Sequence, residues 1–348
     1  MEIAEKNAAR VGRVKAEALR RRLRALDALD TNYKPAYQEN FIYFPLKKID
    51  DSVLEALKEF DATLERFKFE RRLEKPKSLK EALKGKIPSE LLEYVPSSYD
   101  IVGEVILIEI PRELEEYSKI IGEELMKLHP RVKSVLAKGA TLGAYRIREV
   151  KVIAGSDQTE TIHREHGCVY KLDLRKVFFN PRFSGERLRV AESVKPGEKV
   201  FDMFAGVGPF SILIAKKNPS CRVVAVELNP DAYRYLVENI NLNKVSDRVA
   251  PIHGDAREVA KTVNGKFDRV IMDLPRSSLE FLDVGLRSCN IGGVVNFYIT
   301  EDSIKAAVEK TLRKARELGF DVEIEFSREI MEVAPGRYTI VLDLRRKA

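Results

Sequence analysis

The chain has 348 residues, of which 44% are hydrophobic and 33% are charged, and its formal net charge is +7. This composition predicts a globular protein of two or three domains, and no stretch approaches the roughly 20 apolar residues of a membrane span. The N-terminus opens with charged residues, which predicts no secretory signal. Three dispersed cysteines argue against a disulfide framework, so we expect a cytoplasmic protein.

The basic residues are concentrated in two regions. Residues 1–25 hold eight Lys and Arg against three acids, and residues 127–148 hold six with no acid. Such clusters predict a polyanionic partner, because each neutralised phosphate releases counterions. A solvated helix face explains the first cluster equally well. The chain has two glutamines and many Lys, Arg and Glu residues, a bias typical of thermophiles.

Residues 1–95 are expected to form a first domain. Its patterns, in order, are an Ala/Arg/Leu-rich helical stretch at 4–30, a strand at 40–47 and helices near 51–73 and 78–93. The Pro96-Ser97-Ser98 segment predicts a boundary.

Residues 96–190 are expected to form a second, mixed α+β domain. Its patterns are one alternating strand at 99–110, an amphipathic helix at 112–128 and strands at 131–137, 141–155 and 167–174. Chemistry-bearing residues follow in the segment KVFFNPRFSGER, residues 176–187.

Residues 191–348 alternate strand and helix. Strands are predicted at 198–203, 222–227, 248–252, 267–273, 292–299, 321–327 and 337–345. The alternation predicts an α/β fold with a parallel-rich, doubly wound sheet. Five strand–helix units followed by a terminal hairpin are the Rossmann-like arrangement of class I methyltransferases rather than that of dehydrogenases.

Acidic residues and glycines follow successive predicted strands. The turn DMFAGVGPFS, residues 202–211, contains Gly206 and Gly208, whose missing side chains let the backbone approach a ligand. Glu227 follows about 20 residues later, where a carboxylate can accept both ribose hydroxyls of an adenosine. Asp255 can meet the adenine amino group, although it is also suited to cap a helix. With Asp202, this set predicts an S-adenosylmethionine pocket, and its neighbours Phe204, Leu228 and Ala256 are expected to line it.

The fourth strand ends in Asp273-Leu274-Pro275. Amino-group methyltransferases carry an Asn/Asp-Pro-Pro-aromatic turn at this position, which aims oxygen atoms at the nitrogen that is methylated. A plain strand-to-helix turn is the alternative. We expect Asp273 and Pro275 to contact the cofactor.

The segments FFNPRFSGER, DMFAGVGPFS, VELNP, GDAR and DLPRSSLEFL, in this order, resemble the archaeal and eukaryotic tRNA (guanine-37 N1)-methyltransferases. The resemblance covers residues 96–348, and residues 1–95 are similar, more loosely, to the domain that grips the tRNA elbow in members of this family. It implies methyl transfer from S-adenosylmethionine to N1 of guanosine 37, with tRNA as the partner, by a monomer that needs no metal. Many members have Asn where this chain has Asp273.

The resemblance also implies catalytic residues. Methylation at N1 requires a base for the N1 proton and a cation for the charge that develops on O6. The family positions correspond to Glu186 for the base and Arg146 for the cation, and Arg187 corresponds to a position that touches the cofactor. Alternatively, Glu186 pairs with Arg182 or Arg187, and Arg146 is one more phosphate contact.

Substrate contacts are expected from the same segment and from the second basic cluster. Phe178 and Phe179 can stack on an extruded base, although alternation predicts that one ring points inward and the other outward. The other candidates for substrate binding are Asn180, Arg182, Arg148 and Lys138.

Several alternatives remain. The closest is a wyosine-pathway enzyme that transfers the aminocarboxypropyl arm of the same cofactor, or that also methylates the tricyclic base at position 37. A non-catalytic RNA-binding protein on this fold is another, and the intact acidic residues argue against it. His163, His166 and Cys168 have metal-ligand spacing, but no fourth ligand is nearby.

Overall fold

The computed structural model of the chain describes residues 3–72, 76–142, 147–263 and 266–347. Two compact units make up the chain, residues 1–77 and residues 78–348. Within the described ranges, no helix is both long enough and apolar enough to cross a membrane.

The first unit is a four-stranded antiparallel sheet with two helices packed on it. Its elements are β1 (Ile3–Gly12), α1 (Ala16–Ala25), β2 (Ala36–Gln38), β3 (Phe41–Pro45), α2 (Asp51–Glu59) and β4 (Thr63–Glu70). The sheet order is β2-β3-β1-β4, which makes β1 an inner strand. Leu19 and Leu23 of α1 pack with Val53 and Leu57 of α2 in the core.

Two helix predictions in this unit are wrong in part. The helical pattern at 4–30 holds for α1 but not for β1, which pairs with β3 on one side and β4 on the other. Backbone pairing on both sides outweighs the helix propensity of the Ala- and Lys-containing sequence. The helix predicted at 51–73 ends at Glu59, and β4 occupies its second half.

The second unit begins with a small mixed sheet. Its elements are α3 (Leu79–Leu83), a 3₁₀ helix (Ser89–Tyr94), β5 (Asp100–Val102), β6 (Val105–Ile108), a second 3₁₀ helix (Arg112–Tyr117), α4 (Ser118–Leu128), β7 (Ser134–Leu142) and β8 (Ile147–Gly155). Leu79, Leu83, Ile87 and Val95 pack in the same core as Ile106. The domain boundary expected at residue 95 therefore lies inside this unit.

The strand predicted at 99–110 is a hairpin of β5 and β6. Gly103 turns the chain with a φ of +57°. A Cβ atom there would lie 2.3 Å from the Thr161 hydroxyl oxygen, so only glycine fits between these strands and their neighbour.

A second hairpin connects the small sheet to the rest of the unit. It consists of β9 (Glu160–Glu165) and β10 (Cys168–Asp173), and it is followed by a 3₁₀ helix (Pro181–Phe183) and α5 (Ser184–Ser193). Val190 and Ala191 of α5 belong to the core of the large sheet described next. The boundary expected after residue 190 therefore falls within α5.

The large sheet has seven strands. They are β11 (Lys199–Asp202), β12 (Arg222–Glu227), β13 (Val249–His253), β14 (Phe267–Met272), β15 (Cys289–Glu301), β16 (Val322–Ala334) and β17 (Arg337–Arg346). The helices between them are α6 (Pro209–Lys217), α7 (Pro230–Leu242), α8 (Ala256–Thr262), α9 (Ser278–Ser288) and α10 (Ile304–Glu317).

The strand order is β13-β12-β11-β14-β15-β17-β16. The strands β11 to β15 pair in parallel, and β17 runs antiparallel to both of its neighbours. The predicted doubly wound methyltransferase fold with a terminal hairpin is thus confirmed. The order reverses at β11, so the carboxyl ends of β11, β12 and β14 border one crevice.

Candidate active site

A cleft of about 1100 Å³ opens in the second unit at the carboxyl ends of the parallel strands. One wall comes from the large sheet, with the turns after β11, β12, β13 and β14. The other comes from residues 94–111, from Lys138 and from the segment between β10 and α5. The cleft thus brings nine of the eleven predicted cofactor residues, all but Asp202 and Gly208, together with Lys138, Phe179, Asn180 and Arg182 of the predicted substrate residues.

The glycines of the first turn have different roles. Gly206 lines the cleft with a φ of +56°, and a Cβ atom there would meet nothing within 4 Å and would occupy the cleft itself. Gly208 is not among the lining residues. It is the N-terminal cap of α6 and has a φ of +92°. A Cβ atom on it would lie 2.7 Å from the Leu236 side chain. Gly206 therefore leaves room for a ligand, and Gly208 satisfies backbone and packing requirements.

Glu227 ends β12 and faces the turn. Its Oε2 accepts a hydrogen bond from the Gly206 amide at 2.7 Å, and its Oε1 accepts one from the Asn229 amide at 2.7 Å. Burial raises the pKa of this carboxyl, which the backbone hydrogen bonds only partly offset. Each oxygen keeps a further acceptor site, and the side chain lines the cleft. A contact of this carboxylate with the ribose hydroxyls of an adenosine therefore stays a prediction.

The next part of the cleft is aromatic. Phe204 meets Phe281 of α9 edge to face at 5.0 Å, and the guanidinium of Arg257 lies 3.9 Å from the Phe281 ring centre. Leu228, Asp255 and Ala256 line the same region. The carboxylate of Asp255 caps α8 by accepting from the Arg257 amide at 2.7 Å. The capping role of Asp255 is thus confirmed, and because Asp255 also lines the cleft, its contact with the adenine amino group stays a prediction.

Asp202 lies behind the turn rather than in the cleft wall. Its side chain is 1% exposed, and its Oδ2 accepts from the Ser211 hydroxyl at 2.6 Å. Its Oδ1 is buried without a hydrogen-bond partner among the described residues. Burial, with a contribution from the nearby charge of Asp273, raises the pKa of Asp202 to about 7.

The turn after β14 is rigid and lines the cleft with Asp273 and Pro275. Leu274 donates its amide to the Met272 carbonyl at 3.0 Å, and Ser277 donates to the Leu274 carbonyl at 3.0 Å. The carbonyl of Pro275 accepts from the Thr300 amide at 2.9 Å, which ties the turn to β15. The carboxylate of Asp273 therefore stands on a fixed backbone.

Arg187 lines the cleft from the opposite side but is 2% exposed. Its Nε and Nη2 donate to the two oxygens of Glu165 at 2.7 and 2.8 Å, and its Nη1 donates to the Asn180 carbonyl at 3.1 Å. Burial favours neutral Glu165, but hydrogen bonds from His163 and Arg187 outweigh it and lower its pKa to about 2. Glu165 was not predicted, because its partner is 22 residues away in the chain.

Glu186 does not line the cleft. Its side chain is fully enclosed and accepts four hydrogen bonds: from Arg189 Nη2 at 2.7 Å and Nε at 3.0 Å, from the Tyr298 hydroxyl at 3.0 Å and from Arg328 Nη2 at 2.7 Å. Arg189 also donates to Asp343 at 2.6 Å. Glu186 thus pairs with arginines, as the alternative expectation had it, but these are Arg189 and Arg328 rather than Arg182 and Arg187.

The two phenylalanines divide as alternation predicts. Phe179 is 7% exposed. Its ring centre lies 5.0 Å from that of His163 and 5.1 Å from the guanidinium carbon of Arg187. Phe178 is 46% exposed, and both rings border the cleft. The expectation that Phe179 contacts the substrate thus falls on the more buried ring of the pair.

Besides Phe179, three predicted substrate residues lie on this wall of the cleft. Asn180 accepts from the Arg182 amide at 3.0 Å and donates to Met331 of β16 at 3.1 Å. Lys138 and Arg182 share the carboxylate of Asp100, which the sequence did not single out. Arg146 lies outside the described residues, and of Arg148 only the backbone, on β8, is described.

The histidines have partners that are not metal ions. His163 contacts Glu165 at 3.5 Å, and His166 contacts the hydroxyl of Ser184 at 2.8 Å. In the part of the chain that the structure describes, no group of His, Cys, Asp or Glu side chains is placed to hold a metal ion.

Comparison with protein families gives three matches along the chain. The TRM5/TYW2 methyltransferase domain matches residues 161–325, the TYW2 N-terminal domain matches 79–159, and the tRNA methyltransferase 5 N-terminal domain matches 8–55. The match at 79–159 begins at the start of the second unit, and the match at 161–325 begins at the start of β9.

Comparison with individual proteins agrees. The tRNA (guanine(37)-N(1))-methyltransferase Trm5b of Pyrococcus abyssi is 43% identical over 94% of this chain and 96% of its own length. The tRNA(Phe) (4-demethylwyosine(37)-C(7)) aminocarboxypropyltransferase of Pyrococcus horikoshii is 36% identical over 77% of this chain and 95% of its own length. A solved complex of aTrm5 and tRNALeu superposes with a TM-score of 0.78 at 32% identity, covering 98% of this chain and 99% of that one.

Proposed function

Because this chain belongs to the TRM5/TYW2 methyltransferase family, we propose that it transfers the methyl group of S-adenosylmethionine to N1 of guanosine 37 in tRNA. The observation that carries this proposal is the 43% identity to a guanosine-37 enzyme along nearly the whole of both chains. The aminocarboxypropyltransferase relative matches 77% of this chain. The match of residues 8–55 to the tRNA methyltransferase 5 N-terminal domain favours the same reading. We also propose that it acts in the cytoplasm.

The residues of the cleft fit the proposed cofactor. Glu227 would hold the ribose hydroxyls and Asp255 the adenine amino group. Phe204, whose ring meets Phe281 edge to face, would pack against the base. Gly206 fits because a side chain at this position would project into the cleft. When bound, S-adenosylmethionine supplies an electrophilic methyl group. The chain's own residues must then orient the target base and remove its proton.

Glu186 is the proposed base for the N1 proton, and Arg146 is the proposed cation for O6. All four acceptor sites of the Glu186 carboxylate are filled, so proton acceptance requires that one donor leaves. The Arg328 side chain is 47% exposed, whereas that of Arg189 is 21% exposed. Arg328 is therefore the donor that solvent or RNA can replace at the lowest cost.

A labelling experiment tests the proposed function. S-adenosylmethionine labelled either in the methyl group or in the carboxypropyl arm is incubated with unmodified tRNA transcripts that carry G37 or A37. We expect methyl label on N1 of G37 and none on the A37 transcript. Carboxypropyl label in the product would instead identify a wyosine-pathway transferase, and the same assay on tRNA that carries the tricyclic base would detect a second methylation.

The role of Glu186 is tested by Glu186→Gln. We expect kcat for methyl transfer to fall at least roughly 100-fold, the range of general-base catalysis. The matched control is Asp343→Asn, which removes the carboxylate on the other side of Arg189 and leaves Glu186 in place. Equal losses in both variants would assign Glu186 to the ion-pair network alone. Full activity of Glu186→Gln with loss in Asp273→Asn would move the base to Asp273.

A further inference from the structure

Three charged side chains meet at the cleft wall that faces the large sheet. Asp100 begins β5, Lys138 lies on β7, and Arg182 lies in the 3₁₀ helix before α5. Asp100 Oδ2 accepts from Lys138 Nζ at 2.5 Å, and Asp100 Oδ1 accepts from Arg182 Nε at 2.6 Å. All three side chains border the cleft. One carboxylate therefore holds two cations that come from different segments.

The burial of the group makes this arrangement stiff. The side chains of Asp100 and Lys138 are 11% and 13% exposed, whereas that of Arg182 is 41% exposed. Burial by itself would raise the pKa of Asp100, but the hydrogen bonds and charges of Lys138 and Arg182 outweigh it and lower the pKa. The group thus carries one negative and two positive charges, a net charge of +1.

The cations retain donors that point away from the carboxylate. Arg182 uses Nε for Asp100, and neither of its Nη atoms has a hydrogen-bond partner among the described residues. Two parallel N–H groups of this kind match the geometry of a phosphate. By contrast, Nε, Nη1 and Nη2 of Arg187 all donate hydrogen bonds within the protein, to Glu165 and to the Asn180 carbonyl. Lys138 and Arg182 are therefore the cations of this wall that can still donate hydrogen bonds to a bound anion.

We propose that Asp100 is a positioning residue that fixes Lys138 and Arg182 on a single RNA phosphate beside the target nucleotide. The inference rests on the proposed function, which brings an extruded base into this cleft. Asp100 weakens the attraction of the site for RNA by its own charge. It also holds two flexible cations in one orientation. The phosphate that they bind, and the base attached to it, is then held in one position relative to the cofactor.

This role predicts effects of opposite sign on binding and on turnover. In Asp100→Asn the net charge of the group rises to +2 while the orientation of both cations is loosened. We expect tRNA to bind roughly threefold more tightly at low salt, with the slope of log affinity against log salt steeper by about 0.7, the value for one more phosphate contact on a single strand. We expect kcat to fall roughly tenfold, since misplacement of a reactant is costly.

The measurements are filter binding of G37 tRNA across a salt series without cofactor, and steady-state methylation at saturating tRNA and S-adenosylmethionine, which gives kcat. Asp247→Asn is the control, because its carboxylate is exposed beside Arg248 and does not line the cleft. The inference is overturned if affinity and kcat fall together, or if both match the control. If the unaltered chain binds tRNA but methylates no G37, the proposed function fails, and the binding series still reports on Asp100.

A second variant covers the case in which Asp100→Asn does not fold. Asp100→Glu keeps the charge and displaces the carboxylate by one methylene group, so we expect reduced kcat with unchanged tRNA affinity. In a double-mutant cycle, Asp100→Glu combined with Arg182→Met should lose little more turnover than Arg182→Met alone. Fully additive losses across the cycle would show that Asp100 does not act through Arg182.

Discussion

Asp202 shows how a residue can be predicted for one role and be positioned for another. The sequence places it at the end of β11 beside a glycine-rich turn, and this location is as expected. Its carboxyl group is enclosed behind the turn, however, with the Ser211 hydroxyl on one oxygen and no partner for the other among the described residues. A buried carboxyl in such surroundings prefers to be neutral, which is why its pKa rises to about 7.

This raised pKa gives a prediction about stability. The folded-state pKa of about 7 lies above the ordinary value of 3.8, so the folded protein keeps a proton that the unfolded chain releases between these pH values. The contribution of Asp202 to stability is fully present below pH 3.8 and is lost as the pH rises through 7. The loss integrates to about 4 kcal/mol.

The variant Asp202→Asn removes this ionisation while keeping an acceptor for Ser211. We expect the stability of the variant relative to the unaltered chain to increase steadily from pH 4 to pH 7 and to level off above it. Urea unfolding at a series of pH values measures the difference. Parallel curves for the two proteins would contradict the raised pKa, and Asp247→Asn, an exposed carboxylate, serves as the control.

Among the elements, the β9–β10 hairpin depends on α7 in a way that no strand pattern reveals. Asn243 Oδ1 accepts from the Val169 amide at 2.9 Å, and its Nδ2 donates to the Val169 carbonyl at 2.6 Å. Asn239 makes the same pair of contacts with Lys171 at 2.7 and 3.0 Å and also donates to the Val207 carbonyl beside the glycine turn. Two amide side chains thus take the place of a neighbouring strand.

We expect Asn243→Ala to loosen this hairpin. The amide and carbonyl of Val169 would lose their partners, at a cost of about 1–3 kcal/mol for each group that stays buried. Hydrogen exchange should show reduced protection at Val169 with little change in the parallel strands of the large sheet. Asn241→Ala, at an exposed position of α7, whose C-terminal cap is Asn243, is the matched control. Unchanged protection at Val169 would show that the asparagine contacts do not hold the strand.

At the scale of the whole molecule, the division of the chain after residue 77 makes a truncation prediction. Every residue that lines the cleft lies at position 94 or later. A chain of residues 78–348 should therefore fold, bind S-adenosylmethionine with unchanged affinity, and lose affinity for full-length tRNA, since eight basic residues of the first 25 are removed. The Pyrococcus horikoshii relative, which matches 77% of this chain, shows that shorter members exist.

A chain of residues 96–348 is compared with the chain of residues 78–348 to test where the second unit begins. It lacks Leu79, Leu83, Ile87 and Val95, which are buried in the core of the small sheet. Each such side chain contributes about 1.5–3 kcal/mol, so this version should be unstable or unfolded. Calorimetry of both truncated chains measures the difference. Equal melting of the two would show that the segment from 78 to 95 does not belong to the second unit.

The sequence by itself determined the large sheet and the cofactor edge. Strand and helix alternation, a glycine turn and acidic residues after successive strands are local patterns, and parallel strands bring their carboxyl ends together regardless of detail. The sequence alone therefore predicts that Glu227, Asp255 and the Asp273–Pro275 turn lie at this edge of the sheet.

Only the tertiary structure decided which partners the charged side chains have. The pairs Arg187–Glu165, Glu186–Arg328 and Asp100–Arg182 join residues 22, 142 and 82 positions apart. It also decided that β1 is a strand, because its hydrogen bonds go to β3 and β4 rather than to its own turns. Long-range pairing follows from how surfaces meet in the folded chain, and no local periodicity records it.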